Sequence, residues 1–307
     1  MWINPSEENE KRRTTLPVHR RTKQLVSSQP KSRVALQTWE ATNVAAKFHL
    51  LFVHGALAYS GRHAPMFEWM IRQLGGQLKI HALDIVGHGV STGPRAHVDS
   101  FSVYTADFLQ AMKVLREEYP QGEFVLMGHS LGGLIVLKTL LEEEQSLPFW
   151  PKGMVLSNPC IRPLQVVDFP KIHELLATLS QRFPQMRLPR VLKGRDVARD
   201  AEAANQFETD PLIPHFLTAR MAREVWLASE GVRALSYFVK VPVLFLVSDE
   251  DKVVDREATL LFARGIDKKW AKVEKYSNCG HELLHENIRQ KVWRDIIDWL
   301  GTLGESA

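Results

Sequence analysis

The chain has 307 residues, 45% of them hydrophobic and 24% charged, with a formal net charge of +4. That balance suits a soluble globular protein with a large core. It holds no apolar run of the roughly 18–20 residues that span a bilayer, and its two cysteines, Cys160 and Cys279, can frame neither a metal site nor a disulfide scaffold.

Residues 1–22 are polar and lack the apolar stretch of a secretory signal, so a cytoplasmic location is expected. Residues 1–33 hold eight Lys/Arg against three Glu. The excess positive charge is therefore local to the N-terminus. The favoured reading of 1–22 is a poorly ordered, solvated tail. The competing one is attraction to an anionic surface, lipid or nucleic acid.

From there, short apolar runs alternate with helical patterns. In chain order the pattern predicts strand 33–39, strand 48–53, helix 61–74, strand 78–83, helix 101–119, strand 123–128, helix 131–144 and strand 153–157. After a break come strand 242–247, helix 256–265, strand 272–276 and helix 285–303. Continuous apolar strands separated by helices predict an α/β domain with a mostly parallel sheet covered on both faces. In such a sheet functional groups gather at the carboxyl ends of the strands. The break, 160–236, shows no convincing strand. Within it Ile172, Leu175, Leu176, Leu179 and Phe183 recur at helical spacing, as one face of an amphipathic helix over 168–183. A second helical pattern covers about 214–236. The expected organisation is a tail at 1–22, a core built from 23–159 and 237–307, and a helical insertion at 160–236.

Gly128-His129-Ser130-Leu131-Gly132 has the form G-x-S-x-G between a strand and a helix. In that setting it predicts a sharp turn presenting a serine hydroxyl, with glycines where flanking side chains would clash. The N-terminus of the next helix offers N–H groups suited to a developing oxyanion. A serine needs a base, and the base an orienting acid, both after later strands. His281 follows strand 272–276 after a turn. Four acids, Asp249, Glu250, Asp251 and Asp255, crowd the loop after strand 242–247, and spacing alone does not choose among them. His54-Gly55-Ala56, after strand 48–53, fits a second oxyanion donor.

His281-Glu282-Leu283-Leu284-His285 also spells H-E-x-x-H, a zinc pattern when it lies within a helix. Its place after a strand and turn, with few residues left for a third ligand, argues against zinc. That makes His285 a structural or polar-rim histidine. Asp84, Gly87, His88 and Gly89 are read as fixing a tight loop near the site, without a catalytic part for His88.

Together these segments resemble the monoacylglycerol lipase and lysophospholipase group of α/β-hydrolases. HGALAYSGRH (54–63) looks like that group's oxyanion segment, and DIVGHGVSTGPRAHV (84–98) like its D-x-x-G-H-G-x-S-x-G stretch. GHSLGG resembles its elbow, Asp210-Pro211-Leu212 the end of its cap, and VSDEDKVVD and CGHELLHE its acid and histidine segments. The resemblance implies an α/β-hydrolase fold with about eight strands and an inserted helical cap. It also implies Ser130 as nucleophile, His281 as base, Asp251 as acid, and the N–H groups of Ala56 and Leu131 as oxyanion hole. The cap helix face Ile172, Leu175, Leu176 and Leu179 either lines an acyl tunnel or packs on the core. Expected is a serine ester hydrolase acting on a small-molecule or lipid ester. No metal, cofactor or nucleic acid is expected, and transient contact with a membrane surface is left open. An amidase or peptidase with the same triad is the alternative, and a non-catalytic scaffold the second. Dehalogenases and epoxide hydrolases of this fold carry aspartate at the elbow and are excluded by Ser130.

Overall fold

The computed structural model describes residues 15–164, 170–189 and 192–303. Two strands, β1 (Val18–Val26) and β2 (Arg33–Ala41), form an antiparallel hairpin. Then follow β3 (Phe48–Val53), α1 (Ala64–Gln73), β4 (Leu78–Asp84), α2 (Phe101–Glu118), β5 (Glu123–His129), α3 (Leu131–Glu142) and β6 (Gly153–Ser157). An inserted segment holds α4 (Pro170–Arg182), β7 (Arg187–Pro189), α5 (Gly194–Val197), α6 (Ala201–Thr209), β8 (Phe216–Thr218) and α7 (Ala219–Val232). The chain closes with β9 (Val243–Ser248), α8 (Arg256–Gly265), β10 (Ala271–Tyr276) and α9 (Arg289–Leu303).

Eight strands make one sheet in the order β1-β2-β4-β3-β5-β6-β9-β10. From β4 to β10 every pairing is parallel, and only β1 and β2 run antiparallel to their neighbours. Alternation along the buried strands divides the core in two. Leu51 and Val53 of β3 join Phe124 and Leu126 of β5 on one face, under Phe108 of α2 and Leu134 and Leu137 of α3. Leu50 and Phe52 join Val125 and Met127 on the other, under Phe67 and Ile71 of α1 and Trp293 and Ile296 of α9. Both faces are buried, which is why these strands read as unbroken apolar runs. Local caps fix helix starts: the Asp255 side chain accepts from the N–H groups of Glu257 and Ala258, and Asp200 from that of Ala203.

Two expectations are corrected. Residues 18–22 belong to β1 rather than to a loose tail, while 1–14 lie outside the described residues. The strand was hidden because only Leu25 of it is buried, so it shows no apolar alternation. Its cations are partly neutralised in the fold. Arg21 pairs with Glu40 at 3.2 Å and Glu118 at 3.1 Å, and Lys23 with Glu118 at 2.6 Å. The insertion also contains strands, since β7 and β8 pair antiparallel over three residues each. Runs that short carry no readable period.

Candidate active site

The elbow lies where β5 meets α3. Ser130 sits at φ 52° and ψ −117°, a left-handed conformation rare for a residue with a side chain. Its N–H donates to the Ser157 carbonyl at 3.0 Å, and its carbonyl accepts from the N–H of Cys160 at 3.0 Å. The loop after β6 therefore holds the strained turn. A Cβ on Gly128 would stand 2.4 Å from the Gly132 carbonyl oxygen, and one on Gly132 would stand 2.0 Å from that of Val53. The turn is thus pressed against the end of β3 with no room for side chains. Gly132→Ala is expected to lower stability by at least about 2–3 kcal/mol, in the upper range for overpacking. A shift of the denaturant midpoint measures it.

Of the four acids after β9, Asp251 meets the histidine: His281 Nδ1 and Asp251 Oδ2 are 2.7 Å apart. Asp251 Oδ1 accepts from the N–H groups of Val253 at 2.7 Å and Val254 at 3.0 Å, which aims the second oxygen at the ring. Asp255 instead caps α8 and pairs with Arg162, and Glu250 pairs with Arg199. Burial pulls the His281 imidazole down, but Asp251 more than offsets this and leaves it above its ordinary value of 6.5. The ring of His129, next to Ser130 in the chain, lies 4.9 Å from that of His281.

Asn158, also at positive φ (39°), joins the two halves. Its Nδ2 donates to the His281 carbonyl at 2.8 Å and to Ser248 Oγ at 2.9 Å, and its Oδ1 accepts from the Ser248 N–H at 2.9 Å. The ends of β6 and β9 and the histidine loop thereby share one side chain.

The loop after β3 lies against the elbow, since a Cβ on Gly55 would be 3.1 Å from Ser130 Cβ. The His54 ring holds the loop's start. Its Nε2 accepts from the Ile85 N–H at 3.2 Å, so Nδ1 carries the proton and donates to the Gly55 carbonyl at 2.7 Å. Leu57 follows at φ 55°. Asp84, fully buried, accepts from the N–H groups of Ser60 (2.7 Å) and Val90 (3.0 Å) and from Gln37 (3.0 Å). This is the tight-loop duty expected of the 84–89 motif. Ala56 follows Gly55 in this loop, and Leu131 opens α3 directly after Ser130.

Behind the histidine lies a buried polar cluster. Arg62 Nη1 donates to Glu282 Oε2 at 3.2 Å, His129 Nε2 lies 3.6 Å from Glu282 Oε1, and His285 Nε2 is 3.2 Å from His63 Nδ1. Burial alone would push Glu282 up; Arg62, with His129, holds its carboxyl well below the usual range. H-E-x-x-H is therefore spent on this ion pair and on the Asp251 contact. It also lies outside an α-helix, because a 3-10 turn spans Leu283–His285 and α9 begins only at Arg289. Among the described residues no group of His, Cys, Asp and Glu is arranged to hold a metal ion. Arg62→Met removes the counter-charge and strands Glu282 in the interior, at an expected cost of about 3–5 kcal/mol. Thermal unfolding near neutral pH reads it. Because the folded pKa of Glu282 is depressed, its contribution is whole above about pH 4.5, its ordinary value, and is lost as the pH falls toward the folded value.

The family model described as serine aminopeptidase, S33, matches residues 45–288. The chain belongs to that family. Relatives of this S33 member include the monoglyceride lipase of Rattus norvegicus, 27% identical over 82% of each chain. Phospholipase YtpA of Bacillus subtilis is 26% identical over 84% of this chain and 95% of that one. An uncharacterized abhydrolase domain-containing protein of Dictyostelium discoideum is 24% identical over 90% of this chain, which spans 28% of its length. A solved structure, a soluble variant of monoglyceride lipase from Saccharomyces cerevisiae with a substrate analog, superposes with a TM-score of 0.78 at 17% identity. It covers 94% of this chain and 96% of the other. The S33 chain thus has the α/β-hydrolase fold that its motifs implied.

The predicted helix face in the insertion splits. Leu176 is buried against Ala219 and Ala222 of α7, with Leu179 packed beside it. Ile172, Leu175 and Phe183 of the same face are exposed, at 43%, 58% and 60%. The sequence reading gave no role to Asn158 or Arg62, and met Glu282 only as part of a zinc pattern. The only signal for the ion pair was Arg62 in the 54–63 segment and Glu282 beside the histidine, and nothing in one sequence says that these meet.

Proposed function

We propose that this protein is a serine hydrolase of lipid-like carboxylic esters, monoacylglycerols or lysophospholipids, working through an acyl-enzyme on Ser130. The observation that carries the reading is the 2.7 Å contact between His281 Nδ1 and Asp251 Oδ2, with the His281 ring 4.9 Å from that of His129, the residue before the strained Ser130. His281 Nε2 takes the proton of Ser130 Oγ as that oxygen attacks the ester carbonyl. Asp251 keeps the proton on Nδ1 in the resting ring and stabilises the imidazolium. The N–H groups of Ala56 and Leu131 receive the oxyanion. His281 then protonates the departing alcohol, and water releases the acid by the same steps reversed.

The printed activities of the relatives, monoglyceride lipase and phospholipase, support the ester and the lipid-like chain. Residues 160–236 serve as the cap in this reading. Leu176 and Leu179 hold α4 on α7, while Ile172 and Leu175 are free to meet an acyl chain or a lipid surface. Among the described residues no helix is long and apolar enough to cross a membrane.

A substrate panel tests the reading. Monoacylglycerols, lysophospholipids, short nitrophenyl esters and aminoacyl amides are compared at equal enzyme concentration. Esters are expected to turn over, with kcat/KM rising about fourfold per added CH₂ that is buried, from about 0.8 kcal/mol each, until the site is full. Cleavage of amides in preference to esters would move the assignment to the peptidase chemistry in the family's description. No labelling by a fluorophosphonate, together with no turnover, would leave a scaffold.

A further inference from the structure

The Asp210-Pro211-Leu212 motif has no part in the chemistry above, yet it touches the loop that does. Tyr59 lies on the 54–60 loop in extended conformation. Its side chain passes close to two glycines: a Cβ on Gly61 would stand 2.7 Å from the ring at Tyr59 Cε2, and one on Gly89 would stand 2.8 Å from Tyr59 Cβ. The hydroxyl donates to Asp210 Oδ2 at 2.7 Å. Asp210 ends α6 of the inserted segment, and its other oxygen accepts from the Leu212 N–H at 2.9 Å, so the carboxylate is fixed by its own turn. A second strut runs parallel. Arg95 donates through Nη2 to the Leu212 carbonyl at 2.7 Å and through Nη1 to the Gly89 carbonyl at 3.2 Å. The neighbouring residue of Tyr59, Ser60, is the one whose N–H is held by Asp84. Burial, and then the Asp210 carboxylate, push the Tyr59 hydroxyl up to about 12, so it remains a donor across the working range.

We infer that the Tyr59–Asp210 hydrogen bond is a positioning link: it makes the seating of the inserted segment set the aim of the Ala56 N–H toward the reacting carbonyl. His54 fixes the start of the loop and Asp84 its end; Tyr59 ties the stretch between them to a part of the chain that the sheet does not hold. The link rests on the serine hydrolase reading, because it acts through the oxyanion donor. Deleting such a donor typically costs about 10²–10³ in rate. Mis-aiming one costs less, so an effect of about 10-fold is expected.

The experiment compares Tyr59→Phe, Asp210→Asn and the double variant with wild type and Ser130→Ala on one ester. The first keeps the ring and removes the donor hydroxyl, and the second keeps the shape of the carboxylate while removing its charge. Each is expected to lower kcat about 10-fold with KM within about twofold, and the double variant to be no worse than either single one. Affinity for a trifluoromethyl ketone, which forms a tetrahedral oxyanion on the serine, is expected to fall by the same factor as kcat. Deuterium uptake over residues 54–60 is expected to rise in both single variants, a readout that needs no turnover. Wild-type kcat and inhibitor affinity in Tyr59→Phe, or unchanged uptake in either variant, overturns the link. A loss confined to KM also overturns it. Turnover that survives in Ser130→Ala instead overturns the parent reading, and the exchange measurement then still decides whether Asp210 holds the loop.

Discussion

Ser130→Ala is expected to reduce kcat by about 10⁵–10⁶ and to leave the fold intact, the effect seen when a nucleophile is removed from a triad that acts as a unit. The physical case for a clean chemical result is unusually direct at this position. Ser130 holds φ 52° because of what surrounds it, through Ser157 and Cys160 and the missing side chains at Gly128 and Gly132. Alanine keeps the same Cβ and asks nothing more of the turn, so the strain is unchanged and only the hydroxyl is lost. Unfolding midpoints of the two proteins are expected to agree within about 0.5 kcal/mol. Intact mass after fluorophosphonate treatment supplies the chemical check: wild type gains one adduct and the variant none. Retention of more than about 1% of wild-type turnover by well-folded variant, a thousandfold or more above the expectation, would place the nucleophile elsewhere.

Asp251→Asn is expected to lower kcat near neutral pH by about 10³–10⁴ and to move the acid limb of the rate profile to lower pH. The first effect follows from the two hydrogen bonds to Asp251 Oδ1. Those backbone donors keep an oxygen on their side, so an asparagine must turn its NH₂ toward His281 Nδ1. A donor there forces the ring proton onto Nε2, the atom that has to accept from serine. The sign of the second effect comes from the charge. The base works when neutral, so the rate rises with pH through the pKa of His281. Burial depresses that pKa and Asp251 raises it above 6.5 on balance. Removing the carboxylate charge leaves burial in control, the pKa drops, and the limb moves down. A profile of kcat/KM between about pH 5 and 9, brackets set by the ordinary imidazole value, measures both. A profile with its limb unmoved would detach Asp251 from the base.

What the sequence disclosed follows a physical line. Parallel strands buried on two faces print themselves as runs such as FHLLFV, and β3, β6 and α8 fall on the predicted spans at both ends. The elbow was legible because its strain demands small residues at fixed offsets. β1 was not, because an edge strand with one buried side chain looks like any charged segment. The acid was unreadable from spacing, since Asp249, Glu250, Asp251 and Asp255 all carry a carboxyl group on one loop, and direction is set by backbone donors at Val253 and Val254. The Arg62–Glu282 pair joins residues 220 apart in the chain, a meeting that only the sheet order brings about. The amphipathic face over α4 was visible, but periodicity reports apolar residues and not which of them find a partner. α7 takes Leu176 and leaves Leu175 bare.

Glu286 gives the inserted segment a further meaning. Its carboxylate, 1% exposed, accepts from the N–H of Gly280 at 2.7 Å, just before His281, and from those of Arg199 at 2.8 Å and Asp200 at 3.1 Å. One acid therefore fastens the histidine loop and the start of α6 together. A recombination that exchanged this region for a foreign one would strip two of three donors from a buried anion and loosen the loop that carries the base. Grafts are expected to succeed when the breakpoints fall before residue 194 and the native 194–212 stays with Glu286 and the histidine loop it grips, leaving α4 as the portion that can be traded to retune substrate preference.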